Sequence, residues 1–222
     1  MIVGLTGQAQ AGKDTTAEYL KEKYGFERIG MADPMKRFCQ EVFEFSDEQL
    51  WGNGRELPDK RYGRIVPAEK VMEFQFETGE YLTARYALQT LGTEWGRHCY
   101  DNVWVDYAIR MAKRLMEGGG YYDPKMGYVR TVEHTKPTGV VFSDLRFLNE
   151  FEAVKAAGGF MVRIYRPGKE GKVGIFGHPS EEEQKQIPDE AFDAILRNER
   201  EGDYDFLYKQ IEEKIVPHLK PR

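Results

Sequence analysis

The chain is poor in the features that staple or anchor a protein. Among its 222 residues only Cys39 and Cys99 are cysteines. They lie far apart and lack the close pairing of a metal site, so they read as free thiols of a reducing compartment. No apolar run approaches the roughly 20 residues a membrane span requires. The opening segment lacks the basic residues and apolar length of a secretory leader, so a cytoplasmic location away from membranes is expected. No long run of Lys or Arg occurs and the net charge is −5. That argues against a dedicated nucleic-acid surface and leaves room for a local basic pocket that takes a small anion. The histidines His98, His134, His178 and His218 form no triad-like pattern. Internal repeats and low-complexity segments are absent as well.

What remains is an ordinary globular composition, 41% hydrophobic and 31% charged, of a size for one compact domain with a small insertion. Short apolar runs alternate with helix-forming stretches. Strands are expected at Met1–Thr6, Phe26–Ile29, Val140–Asp144, Phe160–Tyr165 and Ala191–Leu196. Helices are expected over Ala17–Lys23, Met35–Phe43 (opened by Asp33-Pro34), from Arg85 onward, and from Val103 to Glu117 with Asp101 as its cap. Further helices are expected through Ala157, started by the stretch Asp144–Glu150 and stopped by Gly158-Gly159, and from Tyr204 to Val216. Such alternation predicts an α/β protein, a central parallel sheet with helices on both faces. Residues 44–82, broken by glycine and proline and rich in arginine, read as a flexible insertion over a site. Residues 118–139 read as a loop or hairpin, and 166–185 as a polar lid with cationic residues.

The most informative stretch is the first. The apolar run to Thr6 flows into Gly7-Gln-Ala-Gln-Ala-Gly12-Lys13 and then into a helix. Strand, G-x-x-x-x-G-K, helix is the phosphate-binding loop in its required context. Glycines let the backbone wrap a phosphate chain, while successive N–H groups and the helix N-terminus supply positive potential. Gly7, Ala11, Gly12, Lys13, Asp14, Thr15 and Thr16 are therefore candidates for holding a nucleoside triphosphate, with Lys13 reaching its outer phosphates. The position after the lysine normally carries a hydroxyl that ligates Mg²⁺. Here it is Asp14, followed by Thr15, so either residue is a candidate metal ligand.

A second carboxylate, Asp144, closes the Val140-Val-Phe142-Ser143 strand, where such proteins place an acid beside the cation. Arg85, Arg97, Arg146 and Arg166 fall on segments near strand C-termini, the side on which ligands bind open α/β sheets. A phosphate cradle, carboxylates for a cation and several arginines together suit phosphoryl transfer. In that reaction catalysis is positioning plus cationic stabilisation and needs no covalent nucleophile. A guanine-reading N-K-x-D segment is missing and the length is short for a helicase or motor, so a small kinase fits best.

Separated motifs then line up in one order. They are Gly12-Lys13-Asp14-Thr15; Ala32-Asp33-Pro34-Met35-Lys36; Arg85 with Leu88-Gln89 and Leu91-Gly92-Thr93-Glu94 and Arg97; and Trp104-Val105. Asp144-x-Arg146 with Asn149-Glu150, Arg166-Pro167-Gly168, and His178-x-Ser180-Glu181 follow. In this order the chain resembles the bacteriophage deoxynucleoside monophosphate kinases, within the nucleoside-monophosphate-kinase-like P-loop proteins. Residues 44–82 match poorly and 118–139 are longer than that pattern. The resemblance implies a three-layer α/β/α P-loop kinase fold in one domain, with an acceptor-covering insertion near 44–82 and a lid near 166–185. It implies ATP and Mg²⁺, a deoxynucleoside monophosphate substrate, a homodimer, and the host cytosol if the chain is phage-encoded. By resemblance Lys36, Arg85 and Arg97 take the acceptor 5′-phosphate, Gln89, Thr93, Glu94 and Trp104 line the acceptor, and Asn198 approaches adenine. Lys13, Arg146 and Arg166 would act on the migrating group, with Asp144 at the metal. Phosphomevalonate and dephospho-coenzyme A kinases share such scaffolds and stay open as alternatives, as does a nucleotide-binding module without turnover.

Overall fold

The computed structural model describes residues 1–8, 10–64, 81–167, 183, 186–199 and 204–219. In chain order the elements begin with β1 (Ile2–Thr6), α1 (Lys13–Tyr24), β2 (Phe26–Ile29), α2 (Asp33–Phe43) and α3 (Asp47–Leu50). Next come β3 (Pro58–Gly63), β4 (Tyr81–Thr83), α4 (Ala84–Gln89), a π-helical stretch Thr90–Arg97, and α5 (Val103–Glu117). The rest are β5 (Gly120–Asp123), β6 (Gly127–Arg130), β7 (Gly139–Phe142), α6 (Leu148–Ala156), β8 (Phe160–Tyr165), β9 (Ala194–Arg197) and α7 (Asp205–Lys214). They form two compact units, Met1–Met31 with Trp104–Arg222, and Ala32–Val103.

The first unit is built on a five-stranded sheet of order β2-β7-β1-β8-β9, every neighbouring pair parallel. β1 and β7 are buried at every position, as continuous apolar strands must be when both faces are covered. Alternation sorts their side chains. Ile2, Val140, Phe142 and Met161 pack with Val105, Ala108, Met111 and Leu115 of α5 and Phe151 and Val154 of α6. Val3, Leu5, Val141, Val162 and Ile164 pack on the other side with Ala17 and Leu20 of α1 and Leu207 and Ile211 of α7. This is the α/β/α arrangement of a P-loop kinase-type fold. Among the described residues no helix is long and apolar enough to cross a membrane.

One open reading is decided and one boundary moves. Residues 118–139 do contain a hairpin, β5 antiparallel to β6, closed by the Asp123 carboxylate accepting from the backbone N–H of Lys125 (2.7 Å) and Met126 (3.0 Å). The last strand starts three residues later than Ala191. Asp189–Ala191 is a short 3-10 turn, and Asp193 turns its carboxylate to the N–H of Met161 (2.7 Å). That turn is held by Arg163, a nearly buried cation inside β8. It donates to Asp189 (2.5 Å) and to the Ile187 carbonyl (2.7 Å) and lies over the Phe192 ring.

The second unit has its own small core of Cys39, Phe45, Leu50, Ala84 and Ala87, flanked by Phe43, Trp51, Tyr62 and Leu82. Burial pushes the Cys39 thiol up to about 11. The stretch expected to be irregular from residue 44 is ordered through residue 64. Ser46 and Gln49 form a reciprocal capping box on α3, and β3 pairs antiparallel with β4. Arg61 ties β3 to the end of α2 by donating to Asp59 (2.8 Å) and to the Glu44 carbonyl (3.1 Å). Residues 65–80 of the expected insertion lie outside the described residues.

Helices α1 and α7 are joined at the surface through Glu212. Its carboxylate accepts from Lys23 (2.6 Å), Tyr19 (2.5 Å) and Tyr24 (2.6 Å), while Tyr19 stacks on Tyr208 at 4.4 Å. The Lys23 ammonium first, then the two phenols, hold the Glu212 carboxyl down at about 2. A carboxylate depressed in the folded state adds stability that is complete above its ordinary value of about 4.3 and is lost as pH falls toward its folded value. Glu212→Gln should therefore lower the urea midpoint at pH 7, and the difference from wild type should shrink between about pH 4.3 and pH 2. Urea melts across that range measure it, and a difference independent of pH would refute the assignment.

Candidate functional site

Strand order sets the place of the site. From β1 the sheet runs one way through β7 to β2 and the other way through β8 to β9. Connections leaving β1 and its neighbours diverge at this point, which opens a crevice at the strand C-termini. The loop Gly7–Gly12 leaves β1 there and feeds α1.

Its backbone calls for glycine at two places. Gly7 has φ +144 and Gly12 φ +110, conformations that strain any residue with a Cβ. A Cβ on Gly7 would strike the carbonyl oxygen of Ile164, and one on Gly12 would stand 2.9 Å from the Asn198 amide nitrogen. The Lys13 ammonium donates to the carbonyls of Gly7 (2.6 Å) and Gln8 (2.7 Å), spanning the loop from its far end. Ala11 is fully buried and its carbonyl accepts from the side chain of Asn198 at 3.1 Å. Asn198, 3% exposed just past β9, is thus a buttress that fixes the loop from beneath. Arg166, at the exit of β8, donates to the Gln10 carbonyl at 3.0 Å. Thr16 is buried with its hydroxyl unpartnered in the first turn of α1. The first N–H groups of an α-helix have no intrahelical acceptor, so the start of α1 is suited to anionic oxygens.

Acids and arginines rim the loop. Asp144 accepts from the Met31 N–H at 2.9 Å, joining the exits of β7 and β2. Arg28, unremarked in the sequence, donates through Nε to Ser143 (2.8 Å) and through Nη2 to Asp14. The signal was a lone arginine near the end of a short strand, which has no meaning until the strand order is known. Arg146 has an exposed side chain. Its N–H and that of Phe147 donate to the buried Glu150 carboxylate (2.7 and 3.1 Å), which caps α6.

Among the described residues no cluster of three or more His, Cys, Asp or Glu could hold a metal. Mg²⁺ commonly takes one or two carboxylates plus substrate phosphates and waters rather than an all-protein cage. The donor set of the Asp144 carboxylate, the Thr15 hydroxyl and the Asp14 carboxylate fits that habit.

The remaining candidates belong to the second unit, apart from Trp104, which packs half-buried on the α5 side of the sheet core. Lys36 in the first turn of α2 stands 3.8 Å from the buried Asp33 carboxylate and over the Trp51 ring. Arg85 opens α4 and pairs with Glu56. Arg97 pairs with Asp101 at 2.8 Å, the residue expected to cap α5. Gln89 ends α4, and Thr93 and Glu94 ride on the π-helical stretch with Glu94 exposed. A Cβ on Gly92 would come within 3.0 Å of Met35 Sδ, so the glycine lets this helix approach α2. Lys36, Arg85, Gln89, Thr93, Glu94 and Arg97 therefore stand on α2, on α4 and on the π-helical stretch that continues α4, all in one unit. π turns are rare and recur at functional sites. The lid motif residues Gly168, His178, Ser180 and Glu181 lie outside the described residues.

Comparison with known proteins bears on this arrangement. Over 202 residues, 90% of this chain and 89% of the relative, the sequence is 31% identical to a protein of Acanthamoeba polyphaga mimivirus provisionally named a deoxynucleotide monophosphate kinase. No protein-family model matches the chain.

The buttress can be tested directly. Asn198→Ala removes the partner of the Ala11 carbonyl and leaves that buried acceptor unpaired, at a cost of about 1–3 kcal/mol in unfolding free energy. Binding of a fluorescent ATP analogue should weaken by about tenfold as the loop loosens, a difference of about 1.4 kcal/mol. Unchanged affinity would mean that the loop holds its shape without Asn198.

Proposed function

The chain belongs to the deoxynucleotide monophosphate kinase family of that viral relative, and on that footing we propose that it transfers the γ-phosphoryl group of ATP to a deoxynucleoside monophosphate, giving ADP and the deoxynucleoside diphosphate. The observation that carries this reading is the loop: Gly7 and Gly12 at positive φ, with Lys13 spanning it at the start of a helix.

In this reading the loop amides and the α1 N-terminus bind the β- and γ-phosphates, and Lys13 exchanges its loop carbonyls for phosphate oxygens. Of the two candidates beside Lys13, Thr15 is the one left for the cation, because the Asp14 carboxylate is paired with Arg28. Thr15 and Asp144 would then hold Mg²⁺, which when bound neutralises charge on the β- and γ-oxygens. Arg166, already on the loop carbonyl of Gln10, and Arg146 supply cations where the migrating group spreads its charge. Lys36, Arg85 and Arg97 take the acceptor phosphate. Gln89, Thr93 and Glu94 orient its sugar and base.

A coupled ADP-release assay with ATP, Mg²⁺ and each of dAMP, dCMP, dGMP, dTMP and their ribose counterparts tests the proposal. Turnover with one or more deoxynucleotides supports it. Silence across the panel, with phosphorylation of phosphomevalonate or dephospho-coenzyme A instead, would refute it. Lys13→Ala should keep the fold, read by circular dichroism, and lower kcat by about a hundredfold or more, because stabilisation of the developing charge is lost. An unchanged kcat would remove Lys13 from the reaction.

A further inference from the structure

We propose that Arg28 is a positioning residue of the triphosphate site, and that Asp14 serves as its counter-ion rather than as a direct metal ligand. This rests on the reading above that the loop binds ATP.

Arg28 is the third residue of β2, an edge strand, opposite Val141 of β7. Its side chain reaches the exit of β7, where Nε donates to the hydroxyl of Ser143, a residue 2% exposed. The far end of the guanidinium meets the Asp14 carboxylate in the first turn of α1. One side chain therefore ties the exit of β2, the exit of β7 and the residue after Lys13. The Met31 N–H on Asp144 joins the same two exits a second time. Arg28 is thus held at its base by a buried hydroxyl and presents its charge at the loop.

Stability does not account for this arrangement. The Asp14 side chain is 79% exposed and that of Arg28 37%, and exposed ion pairs contribute about 0–1 kcal/mol. Charge at the site accounts for it better. A carboxylate in the first turn suits the helix dipole, but it stands beside Lys13, where a triphosphate brings several negative charges. A hydroxyl at that position would need no counter-ion. A carboxylate does, and Arg28 both cancels its charge and engages one of its two oxygens, Oδ1. Arg28 without Asp14 is an extra cation for phosphate. Asp14 without Arg28 is an uncompensated anion beside it.

The sign of the coupling follows, and direct binding reads it. ATP affinity is measured calorimetrically with Mg²⁺ and with EDTA for wild type, Arg28→Met, Asp14→Asn and the double variant. Thermal melts of the free proteins verify folding. Arg28→Met should weaken ATP binding about tenfold, and the double variant should recover most of that loss, more than the separate effect of Asp14→Asn supplies. Asp14→Asn alone should tighten binding in EDTA by about threefold, since a negative charge leaves the site. Arg28→Lys, which keeps the charge without the planar fork, should fall between wild type and Arg28→Met, and it serves if the methionine variant does not fold. A double variant as weak as Arg28→Met, or an Asp14→Asn variant that loses affinity only with Mg²⁺, would overturn the proposal. Turnover is not needed for this measurement. A wild type that binds ATP but phosphorylates no deoxynucleotide overturns the proposed reaction and leaves the pair tested, whereas one that binds no ATP overturns both.

Discussion

β1 is paired along both edges by parallel strands, and the site depends on that pairing. A strand so placed has no freedom of direction or register, and its last residue, Thr6, lies opposite Arg163 of β8. Whatever follows must leave through the crevice between diverging connections. The loop from Gly7 to Gly12 does so in a conformation that two glycines permit and that Ile164 and Asn198 enclose from below. A backbone cradle of this kind loses little entropy when it binds, because the sheet has already fixed it. Preorganisation of that sort is what electrostatic catalysis requires.

The polar contacts around the loop fall into two kinds with different physical weight. Asn198 on the Ala11 carbonyl is buried, and removing it leaves that acceptor desolvated and unpaired. This contact sets shape. Arg28 on Asp14 and Arg166 on Gln10 are exposed. Water screens them and they add little to stability, so they set the charge at the loop rather than its shape. Buried residues build the loop's support, and exposed ones set the charge at its rim.

Most of the fold was legible because each core strand is an apolar run bounded by a clear stop. Phe26–Ile29 and Phe160–Tyr165 are observed as read, and the helix 103–117 is observed over the expected residues, with Val105, Ala108, Met111, Ala112 and Leu115 buried. The misreadings have local causes. Ala191 looked like strand because alanine and phenylalanine followed it, but Asp189 and Asp193 use their carboxylates on Arg163, Tyr165 and the Met161 N–H, and the chain must turn to let them. The region from residue 44 looked irregular because of its glycines and prolines, although Ser46-x-x-Gln49 was a readable helix start. The π-helical register of Thr90–Arg97 has no counterpart in residue pattern. It depends on Gly92 and Gly96 being buried while larger neighbours are not, which is a tertiary condition. Of the site, the loop was legible from spacing alone. Arg28 and the buttressing role of Asn198 were not, since both depend on which strands are neighbours.

Asp14 shows why one such dependence matters. Read alone, an acid after the lysine of a phosphate-binding loop is a contradiction, a negative charge placed where negative charge must bind. A cation between them was the natural sequence-level resolution, and Mg²⁺ the natural cation. The structure offers an internal cation instead, from a strand two places away in the sheet and 14 residues on in sequence. The two resolutions differ in what they demand of the chain. A metal at Asp14 needs only the carboxylate. An arginine partner needs a particular residue on β2, a small hydroxyl at the exit of β7 to brace it, and a strand order that puts both beside the loop. All three are present. A substitution at Ser143 that removed the hydroxyl would leave Asp14 and Arg28 chemically intact yet free the guanidinium to swing. The acid after the lysine is therefore conditional on the architecture two strands away as much as on its own chemistry.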